Sequence, residues 1–189
     1  MRGNGGGATY AEGTVKRIGF LSFGHWQPSA GSQTRTASDA LLQTVELAVA
    51  AEEFGIDGAY VRVHHFARQL ASPFPLLAAI AARTSRIEMG TCVIDRRYEI
   101  PLYMAEEAAA TDLISAGRLQ LGVSRGSPET ALRGYESFGH VPDPDSETIA
   151  TDADLARAHT ALFRAAIAGA GVAQANPQMT GTSGALAIQ

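Results

Sequence analysis

Short apolar runs alternate with longer amphipathic segments along most of the chain. Four of the runs are rich in branched and aromatic residues and are bounded by glycine or polar clusters, which is typical of buried strands. They cover residues 15–23, 59–63, 87–94 and 119–123. The three segments between them place apolar residues at helical spacing. The pattern therefore predicts the order strand, helix, strand, helix, strand, helix, strand.

Capping residues mark the ends of these three helices. Ser38 is the predicted cap of the first helix, which ends near Gly55, and Pro73 and Pro101 fit the first turns of the second and third. The third helix ends at Gly117. The predicted buried positions are Leu41, Leu42, Val45, Val49 and Phe54 in the first helix, Leu76, Leu77 and Ile80 in the second, and Leu102, Ala105, Ala109 and Leu113 in the third.

The regular alternation predicts an α/β fold whose parallel strands are joined by right-handed crossovers. A dinucleotide-binding fold loses its main support, because no Gly-x-Gly-x-x-Gly follows the first strand. A TIM-type (β/α) barrel matches the pattern better, and 189 residues with this spacing supply about four to five of its eight βα units. We therefore expect an incomplete barrel.

The chain divides into three predicted regions. Residues 1–14 are rich in glycine and are expected to be a flexible leader, and residues 15–169 form the partial (β/α) domain. The last helix of that domain is predicted to be capped by Ser146, to end near Gly169 and to bury Ile149, Leu155, Leu162, Phe163 and Ile167. Residues 170–189 form a tail, in which a short strand at 185–188 is a candidate stub of the fifth strand.

Composition narrows the class of protein. A hydrophobic fraction of 46% with 18% charged residues is that of a folded domain. A net charge of −4 argues against a nucleic-acid or anionic-membrane surface. Cys92 is the single cysteine, so neither an intramolecular disulfide nor a thiolate metal cluster is expected, and no metal site is predicted. We expect a cytoplasmic protein, because no signal peptide or membrane-length apolar run is present.

The candidate chemistry follows the ends of the strands, where parallel α/β proteins keep their sites. After the fourth strand comes Ser124-Arg125-Gly126-Ser127-Pro128. Ser127 is a predicted helix cap with proline at the first helical position, so free backbone N–H groups beside a guanidinium predict a phosphate site. His64 and His65 end the second strand, and Cys92 is more typical of a small buried hydrophobe than of a nucleophile.

Three segments together resemble the bacterial luciferase-like flavin-dependent monooxygenase family. They are EFGIDGAYVRVHHF at 53–66, AARTSRIEMGTCV at 81–93 and EIPLYMAEEAAATDLISAGRLQLGVSRG at 99–126. The order and spacing of the three make the resemblance specific, and it covers the N-terminal half of the family pattern. The resemblance implies a TIM-type barrel that holds reduced FMN at the carboxyl ends of its strands, for reaction with dioxygen and a small organic substrate. A separate flavin reductase is then an expected partner.

The same resemblance implies roles for particular residues. Arg125 grips the flavin phosphate together with the Gly126-Ser127 loop, and Ser124 lies near the reactive edge of the ring. Cys92-Val93 runs under the ring and can carry a non-prolyl cis peptide. His64 acts as the acid or base, as an imidazole titrating near neutrality can. His65 is expected to face the other way, because neighbouring strand residues alternate. The loop from His25 to Gln27 is expected to touch the substrate or ring.

Two departures from the family pattern leave alternatives open. Val63 stands where many members carry an acidic residue, and the chain supplies about half of the family length. The alternatives are a deazaflavin-dependent oxidoreductase and a truncated, non-catalytic flavin-binding or subunit module. Because a half barrel leaves two open strand edges, we also expect a homo- or heterodimer.

Overall fold

The computed structural model describes residues 16–126 and 130–188. The predicted leader and Ser127 lie outside the described residues. The strands are β1 Gly19–Ser22, β2 Gly58–Val61, β3 Glu88–Asp95, β4 Leu119–Ser124, β5 Ala173–Gln174 and β6 Ala185–Leu186. The helices are α1 Ala37–Glu53, α2 Pro73–Arg83, α3 Pro101–Ser115, α4 Asp152–Ile167 and α5 Pro177–Thr180, with a 3-10 helix at Gly134–Phe138.

Strands β1 to β4 form one parallel sheet in the order β1-β2-β3-β4. Val61 pairs with Thr91 and Asp95 pairs with Ser124, so the carboxyl ends of the strands meet at one edge of the sheet. Each crossover between these strands contains a helix, as parallel pairing requires. The predicted α/β fold, a partial (β/α) barrel with four βα units, is confirmed.

The helices bury one face of this sheet. Val61 and Met89 pack against Leu77 and Ile80 of α2, and none of the four is more than 1% exposed. Burying side chains of this size stabilises the fold by about 1.5–3 kcal/mol each. On the other face, Leu21, Cys92 and Gln120 are exposed. The face that a closed barrel turns inward is therefore open in this part of the chain.

The buried side of α1 differs from the prediction. The cap is Thr36, which forms a reciprocal capping box with Asp39, in place of Ser38. Of the predicted stripe, Val45 is buried, whereas Leu41, Leu42 and Phe54 are exposed, the last by 86%. Small residues occupy the buried positions instead, because α1 covers the edge of the sheet and packs on α2 through one flank only. They are Ala40, Thr44, Ala48 and Ala51.

In α3 and α4, too, some residues predicted to be buried are exposed. Leu113 of α3 and Leu162 and Ile167 of α4 are exposed, since α3 packs between α2 and α4 and these residues lie outside those contacts. The α4 helix begins after Thr151, which forms a capping box with Asp154, so the predicted start at Ser146 is wrong. After the gap at 127–129, residues 130–138 form turns and the 3-10 helix in place of the predicted α-helix.

The tail does not extend the parallel sheet in the described residues. The short strand predicted at 185–188 is found as β6, which pairs antiparallel with β5 in a separate two-stranded sheet. No helix within 16–126 or 130–188 has both the length and the apolar character needed to cross a membrane.

Candidate functional site at the carboxyl ends of the strands

The predicted site residues follow the carboxyl ends of β2, β3 and β4. His64 comes three residues after Val61, so extending the register of β2 and β3 places it level with Ile94. Ser124 is level with Asp95 on the far side of β3. His64 follows β2 and Ser124 ends β4, the two strands that flank β3 in the sheet. Both sides of β3 therefore carry predicted site residues.

The end of β3 lies between these two positions. The peptide bond between Cys92 and Val93 is cis, which is the feature that the family resemblance implied for this strand. Cys92 is exposed on the open face of the sheet, and not buried as its residue type predicted. The register of β3 against β4 shifts between Thr91 and Ile94.

A buried ion pair fixes the edge of the sheet beyond β3. Arg97 Nη2 lies 2.6 Å from Asp95 Oδ2, and the two side chains are only 12% and 8% exposed. The same guanidinium donates from Nη1 to Asp152 at the start of α4 and lies 4.7 Å above the ring of Tyr135. The hydrogen bonds to Asp95 raise the pKa of Arg97 further above its usual range. One arginine thus joins β3, α4 and the 3-10 helix.

The loop after β4 rests directly on this ion pair. Gly126 has a φ of +103°, and a Cβ at this position would collide with the Arg97 guanidinium and the Asp95 carboxylate. Only glycine combines that conformation with so close an approach. Its N–H donates to Ser124 Oγ at 3.0 Å. The ion pair and the glycine therefore set the direction in which Arg125 leaves the strand.

A cavity of about 530 Å³ lies beside Arg125, between the end of β4 and α4. Ser124, Arg125, Arg96, Arg157 and Arg164 line it, and we call it the arginine cavity. No acidic side chain is among its lining residues. Arg157 is paired with Asp154, whereas no ion pair is found for Arg125 or Arg164 among the described residues. Unpaired guanidinium groups beside a cavity favour an anion, and arginine suits phosphate oxygens because its donors form a planar fork.

Arg96 differs from the other three guanidinium groups because it is buried. Only 3% of the residue is exposed, and burial lowers its pKa. Its guanidinium lies 4.3 Å above the Phe163 ring, its Nη1 lies 3.4 Å from Met104 Sδ, and its Nε has no hydrogen-bond partner among the described residues. The positive charge nearest the floor of the arginine cavity is therefore held in place by packing.

A second cavity of about 420 Å³ lies between the starts of α2 and α3. Its walls include His65, Tyr98, Glu99, Tyr103, Glu107 and Phe138, and we call it the aromatic cavity. The His65 ring stacks on Tyr98 at 4.3 Å, and burial lowers the pKa of His65. The sequence analysis did not single out this cavity. The close spacing of Tyr98, Glu99 and Tyr103 at the start of α3 was the available signal.

The structure brings some of the predicted residues together and separates others. Ser124 and Arg125 line one cavity, with Gly126 beside them. His64 lines neither the arginine cavity nor the aromatic cavity. Its backbone N–H donates to Leu70 at 2.9 Å, and its Nε2 is buried without a hydrogen-bond partner among the described residues. The unpaired ring nitrogen of His64 is therefore buried beside these cavities and does not open into either of them.

The loop after β1 lies at the far end of that edge. The His25 ring stacks on Phe23 at 5.5 Å, and the Arg68 guanidinium lies 5.3 Å above the Trp26 ring. His25, Trp26 and Gln27 line a further cavity of about 570 Å³. Since β1 is three strands away from β4, this loop lies apart from Arg125.

These observations define a class of protein: an α/β chain built as part of a (β/α) barrel, with an arginine-lined cavity at the carboxyl end of a strand. The family model of luciferase-like monooxygenases matches residues 18–180. The chain therefore belongs to the luciferase-like monooxygenase family.

Similar proteins include enzymes with two kinds of cofactor. The oxygenase component of flavin-dependent trigonelline monooxygenase from Acinetobacter baylyi is 31% identical over 110 residues, which cover 57% of this chain and 30% of the relative. F420-dependent glucose-6-phosphate dehydrogenase from Amycolatopsis mediterranei is 35% identical over 100 residues, which cover 49% of this chain and 30% of the relative.

Solved structures confirm the fold. The oxygenating constituent of 3,6-diketocamphane monooxygenase from Pseudomonas putida, in complex with FMN, aligns with a TM-score of 0.65 and 20% identity, covering 79% of this chain and 38% of the other. The matched regions make up less than half the length of each of these three proteins.

Proposed function

We propose that the chain is the amino-terminal part of a flavin-dependent monooxygenase, which uses reduced FMN and dioxygen to oxygenate a small organic substrate. Membership of the luciferase-like family supports this proposal, as does the similarity to the oxygenase component of trigonelline monooxygenase. An oxygenase component needs reduced flavin from elsewhere, so we propose a separate flavin reductase as partner. The observation that carries the proposal is the arginine cavity at the end of β4, beside Cys92-Val93 and on the same edge as His64.

The arginine cavity fits the phosphate of a flavin. Arg125 would bind the phosphate oxygens through its planar fork, with further positive charge from Arg96 and Arg164. Gly126 allows the loop to lie against the Arg97–Asp95 ion pair, so the backbone that carries Arg125 is held in position before a ligand arrives. Ser127 is proposed to add to this site from the adjoining loop. Groups held in advance in this way lower the ordering cost of binding.

His64 is proposed to hold and move a proton beside the ring. The reduced flavin, when bound, supplies the electrons that activate dioxygen. Nε2 of His64 is not engaged by another group of the described chain, which supports this role, and the role requires this buried nitrogen to become accessible when the flavin binds. Ser124 and the exposed Cys92-Val93 segment are proposed to border the ring from β4 and β3.

A deazaflavin-dependent oxidoreductase is the second candidate. The similarity to F420-dependent glucose-6-phosphate dehydrogenase is the observation that favours it. The arginine cavity accepts the phosphate of either cofactor, so the two proposals differ in the cofactor and not in the anchoring residue.

The test is cofactor binding by the full chain without oxygen. We expect reduced FMN to bind more tightly than reduced F420, and the reverse order would favour the second candidate. Replacing Arg125→Gln should weaken binding by about 10- to 100-fold, because a hydrogen bond to a charged group contributes about 1.5–3 kcal/mol. Arg83→Gln is the matched control, since Arg83 pairs with Glu46 on the outer helices. Equal binding by wild type and Arg125→Gln would overturn the anchoring role.

A further inference from the structure

The aromatic cavity is separate from the proposed flavin site. It opens between the starts of α2 and α3, whereas the arginine cavity lies between the end of β4 and α4. Its volume of about 420 Å³ lies in the range of small-molecule sites. None of the residues assigned to the flavin lines it. The cavity therefore has no role in the function proposed above.

The aromatic rings that line the aromatic cavity lie either at its base or at its opening. Tyr98 is 4% exposed and forms the base, stacked against His65, with Phe138 edge-on to both rings. Tyr103 and Phe138 are largely exposed at the opening. Exposed aromatic rings around a concave space provide negatively polarised faces, which attract a cation.

The charge in the aromatic cavity is the opposite of that in the arginine cavity. Glu99 and Glu107 both line it, and no arginine or lysine does. Burial, together with repulsion by Glu107, raises the pKa of Glu99 to about 7 despite the nearby Arg96. The Arg96 guanidinium lines the arginine cavity instead, where it lies over Phe163. A positively charged ligand in this cavity would favour the ionised form of Glu99.

The two histidines of the aromatic cavity complete the description. His140 forms a hydrogen bond with the Tyr98 backbone, and burial lowers its pKa, as it lowers that of His65. Nε2 of each ring is buried without a hydrogen-bond partner among the described residues. Both rings are neutral at neutral pH, so they do not repel a cation.

We propose that the aromatic cavity is a binding site for a small organic ammonium ion. Its cationic head lies between the carboxylates of Glu99 and Glu107 and against the faces of Tyr103 and Phe138. A quaternary ammonium suits this site because it gains from aromatic faces and carboxylates without needing hydrogen-bond acceptors in a fixed geometry.

Choline is the probe, and 3,3-dimethyl-1-butanol is its uncharged isostere. Calorimetric titration of the full chain, without flavin, should show choline binding at least tenfold more tightly than the alcohol. Glu99→Gln should weaken choline binding about tenfold, because it keeps the shape of the side chain and removes its charge. Tyr103→Leu, at an exposed position, should weaken it about threefold. Glu106→Gln is the matched control on α3, outside the cavity lining, and should bind as wild type does.

The pH dependence gives a second readout. Asp95, Arg96 and Glu107 act on Glu99, and His65, His140 and Tyr103 share its cavity. Ionisation of Glu99 with a pKa of about 7 should raise choline affinity about tenfold from about pH 6 to about pH 8, and Glu99→Gln should reduce that rise. Equal affinity for choline and the alcohol, or no effect of Glu99→Gln, would overturn the proposal. So would the absence of choline binding at about 50 mM, a concentration that detects even millimolar affinity.

Discussion

Polar side chains are hydrogen-bonded at the amino end of the parallel sheet, whereas several buried ones at the carboxyl end are not. At the amino end, Arg118 donates five hydrogen bonds to the residues that close α2, start β3 and end α3. Nearby, Glu52 accepts from the backbone N–H groups of Ser85, Arg86 and Ile87. At the carboxyl end, four buried nitrogens have no hydrogen-bond partner among the described residues. They are Nε2 of His64, His65 and His140 and Nε of Arg96.

This difference indicates that the amino end of the sheet serves stability and the carboxyl end serves binding. A buried polar group without a partner costs about 1–3 kcal/mol, so a fold selected only for stability would pair such groups. The amino end does pair them, and the carboxyl end holds them beside two cavities of opposite charge. A (β/α) barrel keeps function at the carboxyl face and stability at the other face. Substitutions at the amino end should therefore mainly lower stability, and substitutions at the carboxyl end should mainly lower binding or turnover.

The largest effect is expected at His64. We expect His64→Asn to lower turnover by about 10²- to 10⁴-fold, because a positioned proton-transfer group contributes that much to rate. Reduced-cofactor affinity and the midpoint of urea unfolding should stay close to wild type, since the His64 ring has no hydrogen-bond partner to lose at Nε2. Turnover is measured as product formed from a panel of small aldehydes and ketones, with reduced FMN supplied.

The control for His64 comes from the opposite end of the sheet. Arg118→Gln should retain turnover at temperatures where it is folded, because Arg118 contacts none of the cavities at the carboxyl end. A His64→Asn variant with wild-type turnover and an unchanged pH profile would remove His64 from the proton-transfer role.

The second effect is the loss of stability in Arg118→Gln. This variant leaves the carbonyls of Ala81, Thr84, Ile87 and Ser115 without their shared donor. We expect it to lower the free energy of unfolding by about 2–4 kcal/mol, because several acceptors lose a charged partner at once. Urea denaturation measures the change.

The matched control for Arg118 is Arg83→Gln on the adjoining helix. Arg83 pairs with Glu46, and both side chains are more than half exposed. Exposed pairs contribute about 0–1 kcal/mol, so this variant should lose little. Equal losses in the two variants would mean that the amino end does not depend on Arg118.

The sequence sufficed for the order of elements, because the strands are short β-branched runs and both Pro73 and Pro101 begin helices, as predicted. It did not suffice for the buried faces of those helices. Phe54 and Leu113 are apolar and at helical spacing, yet both are more than 80% exposed. Periodicity shows which residues share a side of a helix, but the neighbouring elements decide which side is buried.

The site shows the same limit. Arg125 follows from the loop after β4, since a guanidinium beside small residues at a strand end is a local pattern. The contacts of Arg97 with Tyr135 and Asp152 do not, because these partners lie far along the chain. The sequence analysis gave His65 no role, because neighbouring strand residues alternate, but the structure places it in the lining of the aromatic cavity. Contacts between distant residues, which no local pattern encodes, account for each omission.

The smallest effect is expected at Glu52 and depends on pH. Burial favours a higher pKa for Glu52, but the N–H groups of Ile87, Arg86 and Ser85 outweigh it and lower the pKa to about 2. We expect Glu52→Gln to lower the free energy of unfolding at neutral pH by about 1–2 kcal/mol, a value reduced for partial exposure to solvent. Urea denaturation at several pH values measures it.

The sign of the pH effect follows from the direction of the shift. A carboxyl group whose pKa is lower in the folded state stabilises the fold above its unfolded pKa, here 4.5, and loses that effect as the pH falls towards about 2. The difference between wild type and Glu52→Gln should therefore shrink across this range. The Glu46 carboxylate pairs with the exposed Arg83, so Glu46→Gln should show a small difference at every pH. A difference between wild type and Glu52→Gln that stays constant down to about pH 3 would show that the charge of Glu52 does not contribute to stability.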